Sequence, residues 1–166
     1  MDSARALFRH EVNSLLDGTK QLSTELRKMH DKASHPELRS KVDDLRTSTE
    51  EQHRRLEEIF GLMGEEPQTT ESLTLRGFVG EVDALVKQEK PDKEPMDVYL
   101  AHTASDIAAY LTDEYESMLL LAERSGVNHA SPKVSDLLKV SGKETKKIGN
   151  DIHKLVETLV EQLRPS

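Results

Sequence analysis

Four long stretches of this chain repeat their apolar residues at helical spacing, and that periodicity constrains the fold more than any other feature. The first runs from about Ser3 to Ala33 and carries Leu7, Phe8, Val12, Leu15, Leu16, Leu22, Leu26, Met29 and Ala33. Ser3 is placed to cap it. The second spans about Pro36 to Met63, with Leu38, Val42, Leu45, Leu56, Ile59, Phe60 and Met63 on one line. Pro36 suits a first helical position, with Ser34 or His35 as cap, and Gly64 suits a stop. The third, about Met96 to Arg124, carries Leu100, Ile107, Tyr110, Leu111, Met118 and Leu121 and closes at Ser125-Gly126. The fourth, about Ser131 to Arg164, carries Val134, Leu137, Leu138, Ile148, Ile152, Leu155, Leu159 and Leu163.

Segments of this length reach about 40 Å as helices. The first two are separated by a tight Ser-His-Pro break and predict an antiparallel hairpin. Between the second and third, about 30 residues intervene, far more than a hairpin turn needs. They contain a loop, a shorter amphipathic helix from about Glu71 to Gln88, and a Lys-Pro-Asp-Lys-Glu-Pro break. Such a connection returns the chain to the far end before the third helix starts. The expectation is an all-α four-helix bundle in one domain, with one long crossover carrying an extra short helix.

Composition agrees and removes several function classes. The chain has 22 Leu but 4 Ile and no Trp, and 33% of its residues are charged, a helical rather than a sheet-building mixture. It has no Cys, which excludes disulfides, thiolate metal sites and cysteine nucleophiles. No 18-residue apolar run and no signal-peptide h-region occur, so the expected location is the cytoplasm, without membrane contact. The net charge of −8 argues against a nucleic-acid partner. Lys139, Lys143, Lys146 and Lys147 make one basic face, but Asp136, Glu144 and Asp151 interrupt it. No Gly-x-Ser-x-Gly or phosphate-binding glycine loop is present.

Each long helix loses apolar character near its middle. The first stripe breaks at Gly18-Thr19, and the inward polar candidates are Thr19, Thr49 with Gln52, Thr103 and Glu114, and Ser141 with Glu144. In a bundle, a central polar layer is where carboxylate-bridged metal pairs are built, from a Glu on each of two helices and Glu-x-x-His on each of the others. The one literal Glu-x-x-His here is Glu50 and His53, and its phase is poor. His53 lies at the edge of the inward line and Glu50 about 100° away from Thr49. Glu114 and Glu144 fall on apolar stripes, where a carboxylate is costly unless paired. A small rotation exposing them, or a bond to Tyr110, Thr19 or a lysine, is the simpler account. His102 and Asp106 stand four apart and read as an exposed ion pair. The layer also suits a pocket for an organic ligand or partner helix, with Thr19, Gln52 and Tyr110 offering hydrogen bonds.

The ordered set of short motifs resembles a known family. It comprises Lys20-Gln21-Leu22 with Leu26, Lys28 and Met29; Pro36-Glu37-Leu38; Thr49-Glu50; and Arg55-Leu56-Glu57 with Ile59-Phe60 and Gly64. Gly77-Phe78 with Glu81 follows, then Tyr110, Tyr115, Leu121-Ala122-Glu123, Gly126 and Leu137-Leu138-Lys139. Over nearly its whole length the chain resembles the YciE/YciF-like ferritin-like stress proteins. That resemblance implies a ferritin-type bundle, a di-iron carboxylate centre and a homodimer.

The departures fall on the implied ligands. Where the family has Ala-Glu before Lys-Gln-Leu, this chain has Gly18-Thr19; where it has Glu-x-x-His, the aligned residues are Thr47 and Glu50. Where it has Glu-His-Tyr-Glu, Ala108-Ala109-Tyr110-Leu111 stands, and the acidic partner of Glu144 falls at or near Gly149. Only Glu50 and Glu144 remain as acids near ligand positions. The expectation is therefore a non-catalytic, stress-related bundle that has lost its di-metal centre and needs no cofactor. The alternative is a reconfigured iron or manganese site drawing on Glu50, His53, Glu114 and Glu144, with oxidation or storage chemistry.

Overall fold

A computed structural model describes residues 3–68 and 70–163. Met1, Asp2, Thr69 and the end at Arg164, where the sequence carries the last helix, lie outside these residues. Ser3 opens α1, Ala4–Lys32, by accepting the Ala6 N–H on its hydroxyl at 3.2 Å. Pro36 is the first residue of α2, Pro36–Met63, which His35 precedes without a side-chain cap. At the other end Gly64 turns left-handed (φ +66°), and the N–H groups of Gly64 and Glu65 return to the Gly61 and Phe60 carbonyls. The crossover carries α3, Leu73–Glu89.

The next long helix, α4, spans Lys93–Arg124 and starts three residues before the expected Met96. Pro95 is tolerated there because the first-turn N–H groups have no intrahelical partner to lose. A single turn not foreseen in the sequence, α5 (Val127–Ala130), follows the left-handed Gly126 before α6, Pro132–Gln162.

Contacts along the crossover give the topology. Glu65 meets Arg5 at 2.9 Å, the Gln68 N–H donates to Asn13 Oδ1 at 2.7 Å, Leu75 and Ser72 lie over Gly18, and Asp83 is 3.9 Å from Lys32. The connection therefore runs the full length of α1, from its start to its end. There α4 begins, and buried Asp97 accepts both the N–H and the hydroxyl of Ser34, at 2.7 and 2.5 Å. That clamp ties the α1–α2 turn to the first turns of α4.

α6 runs antiparallel to α4, with Gly142 against Tyr115 and Gly149 against Ala108. It also runs antiparallel to α2, with Glu58 paired to Lys133, Gln52 to Thr145 and Lys41 to Asp151. The pairs α1/α2, α2/α6, α6/α4 and α4/α1 close the ring, leaving the parallel pairs on the diagonals. The crossover between the second and third long helices makes this the ferritin-like arrangement. Leu22, Leu26, Leu38, Leu45, Leu56, Leu100, Ile107, Met118 and Leu138 are sealed inside it. Each such burial contributes about 1.5–3 kcal/mol. Among the described residues no helix is long and apolar enough to cross a membrane.

Candidate functional site: a hydrogen-bonded polar layer

Midway along the bundle the apolar core is interrupted by Thr19, Ser48, Thr49, Gln52, Ser141 and Thr145, all buried. Thr49 and Thr145 satisfy their hydroxyls locally, each donating to the carbonyl four residues earlier (Leu45 and Ser141) at 2.8 Å. The Gln52 amide spends its two N–H groups on Ser48 Oγ at 3.0 Å and Thr145 Oγ1 at 2.8 Å, the second bond crossing from α2 to α6. Beside it, Arg55 closes a two-armed pair on Glu144, at 2.7 and 3.0 Å. Two buried atoms in this region, Gln52 Oε1 and the Tyr115 hydroxyl, have no hydrogen-bond partner among the described residues. Burial pushes that phenol far above its ordinary pKa, while the nearby Arg55 charge pulls the other way. Tyr115 is therefore held neutral.

Thr19, Thr49, Gln52 and Ser141 occupy the inward positions that the helical phase assigns to them, and Thr103 is also buried. Glu144 does not. It is half-exposed and leans out to Arg55, while Thr145, one residue on, takes the inward place. Row 134–138–141–145–152 of buried residues continues through Thr145, which was the available signal. Glu114 is likewise at the margin. Its carboxyl is raised above the ordinary glutamate range, first by partial burial and then by the negative Glu11 and Asp113, with Tyr110 opposing. Tyr110 stacks at a tilt on Phe78 of α3, ring centres 6.0 Å apart, so Tyr115 rather than Tyr110 is the tyrosine that reaches the layer.

Glu50 accepts the Ser23 hydroxyl at 2.8 Å and Arg46 at 2.7 Å on the α1–α2 seam. His53 Nδ1 lies 3.0 Å from the Leu16 carbonyl and 3.1 Å from Thr19 Oγ1. The Leu16 carbonyl also accepts the Thr19 hydroxyl at 3.0 Å, and the other ring nitrogen, Nε2, faces Glu57 at 3.6 Å. Glu50, His53, Glu114 and Glu144 thus engage four separate sets of partners. Among the described residues no three His, Asp or Glu side chains are grouped so as to hold a metal ion. His102 and Asp106 form the exposed pair their spacing suggests, at 3.3 Å.

The positions matching the resembled family's third- and fourth-helix ligands are in direct contact. A Cβ built on Gly149 would lie 3.0 Å from Ala108 Cβ, closer than side chains ordinarily pack. Ser48 and Thr145, which stand outside the apolar lines read from the sequence, complete the layer together with Arg55 and Tyr115, which the sequence carries as motif residues without placing them inside. Arg55 stands between Arg54 and the inward Leu56, beside the apolar line of α2 rather than on it.

The family model described as "Domain of unknown function (DUF892)" matches residues 3–163. The chain belongs to the DUF892 family. The fold of this DUF892 chain is similar to the crystal structure of the E. coli stress protein YciF. The TM-score is 0.88 and the identity 20%, over 98% of this chain and 100% of that one. It is also similar to YcfI of Rhodopseudomonas palustris, proposed to be a structural protein. There the TM-score is 0.85 and the identity 20%, over 92% of this chain and 94% of that one. No curated protein matches the DUF892 chain. These relatives bear out the YciE/YciF-like resemblance and the ferritin-like, all-α fold.

Proposed function

We propose that this protein is a non-catalytic ferritin-like bundle whose di-metal centre has been replaced by a neutral hydrogen-bonded layer. It serves a stress-related structural or interaction role in the cytoplasm, as a monomer unit or a homodimer acting through its charged outer faces. One observation carries the reading: Glu144, a carboxylate near an implied ligand position, is held outward by both arms of Arg55. A guanidinium beside the layer opposes a divalent cation, and a carboxylate already paired is a poor donor. The rest of the layer is hydroxyl and amide, and the close Ala108–Gly149 approach leaves no room for acids there. Such a donor set does not fit a two-metal site, which needs several deprotonated carboxylates or imidazoles. The stress and structural character follow YciF and YcfI, the solved relatives.

Metal analysis of protein purified with iron and manganese supplied tests this directly. The expected result is far below one ion per chain. About two ions per chain, lost on Glu144→Gln, would overturn the reading in favour of a reconfigured iron or manganese centre. Light scattering on the same sample measures the proposed association.

A further inference from the structure

The crossover helix differs from the four long helices in the features that hold a helix in place. Of the 17 residues in α3, only Leu75 and Val82 are buried, and Leu73 is left 71% exposed. Gly77 and Gly80 sit within it at positions where an added Cβ would meet nothing within 4 Å. Each weakens the helix relative to alanine, and no close packing requires either. Ser72 precedes α3 without a side-chain capping bond, and the chain leaves through Lys90 in a left-handed conformation (φ +48°) that a side chain disfavours. Beside the Leu75–Gly18 contact, a groove of about 300 Å³ runs between α3 and α1, lined by Leu22, Leu75 and Val79. Among the described residues, the ion pair that joins α3 to α1 is the exposed Lys32–Asp83 contact at 3.9 Å.

We infer that α3 is a releasable cover, opening from α1 and α4 about pivots at Ser72 and Lys90 while the four long helices, and the 65–68 segment bonded to α1, stay packed. The bundle core lies among α1, α2, α4 and α6, and α3 adds only two sealed side chains to it, so opening leaves that core intact. Release uncovers the α1 face around Gly18, Leu22 and Met29 and parts Phe78 from Tyr110. In the closed form α3 itself occupies that face. Opening of α3 does not depend on whether the bundle binds metal.

Hydrogen exchange of the full chain, under conditions where closing outruns exchange, tests it. Amides of α3 should exchange through an opening that α4 and α6 do not share. Gly77→Ala and Gly80→Ala should each slow α3 exchange about 5-fold without altering α4 or α6. Equal protection of α3 and α4, or substitutions that slow all helices alike, would overturn it. A second readout uses the absence of native cysteine. A thiol introduced by Val82→Cys in α3 should react with a maleimide at least about tenfold faster than one introduced by Ala122→Cys in α4. Matching rates at the two sites would end the proposal.

Discussion

Arg55 of α2 reaches across to α6 and grips Glu144 with both guanidinium arms, and the same guanidinium passes 3.4 Å from Ser141 Oγ beside the buried Tyr115 ring. Arg55 is the more enclosed partner, its side chain 18% exposed against 42% for Glu144. Removing Glu144 therefore strands a partly buried cation, whereas removing Arg55 frees a carboxylate that already reaches solvent. Glu144→Ala is expected to cost about 1–2 kcal/mol, and Arg55→Met less than that, with the double variant close to Arg55→Met alone. Urea titration of the three variants measures the coupling; strictly additive costs would show that the pair contributes nothing.

The Gln52–Thr145 bond spans α2 and α6 inside the core. Gln52→Leu leaves the hydroxyls of Ser48 and Thr145 without their buried donor and is expected to cost about 1–3 kcal/mol. Thr145→Val removes the acceptor and should be similarly harmful alone. Together the two replace a polar contact by an apolar one of similar shape, so the double variant should recover part of the loss. A thermal midpoint for the double variant below that of both singles would contradict this account of the layer.

Gly149 lets α6 lie against Ala108 of α4. An alanine there gains helix propensity, about 1 kcal/mol, but must push back a Cβ contact of 3.0 Å, so the two effects offset. Leucine cannot fit without separating the helices, and Gly149→Leu is expected to cost about 1–3 kcal/mol. Ala108→Gly on the same background should restore some of it. Circular dichroism melts of the two variants provide the measurement.

Glu114 binds its proton more tightly in the folded protein than in the unfolded chain, chiefly through partial burial and the nearby Glu11 and Asp113 charges. The folded state then holds more protons than the unfolded state across the interval between the two pKa values, and stability falls as pH rises through it. At neutral pH the ionised carboxylate is a net penalty. Glu114→Gln should raise the melting temperature at pH 7, and the gain should shrink as the pH falls from the raised folded value towards the ordinary glutamate range and be gone below it. A gain that persists unchanged into acid would mean that the ionised form is not the cause.

Much of this architecture is legible in the chain because it is local. The α2 span from Pro36 to Met63 follows from a proline start, a glycine stop and one apolar line between them. Length alone explains why the 30-residue connection must be a crossover. The polar residues Thr19, Thr49, Gln52 and Ser141 are recognisable as interruptions of their stripes, and all four are buried.

The identity of the side chains that meet at the centre is a different matter. Adjacent residues on a helix differ by about 100°, so Glu144 and Thr145 both lie near the inward line of α6. Which one enters depends on a rotation of the helix that its own sequence does not specify. Contact of Gly149 with Ala108 and of Gly142 with Tyr115 sets that rotation, bringing Thr145 to Gln52 and turning Glu144 out to Arg55. The same applies on α4, where Tyr115 goes inside and Tyr110 goes to α3. Periodicity along one chain thus determined the helices, their order and the level of the polar layer. Only the packing of four helices against one another decided which polar groups fill it, because burial is a property of the neighbours as much as of the residue.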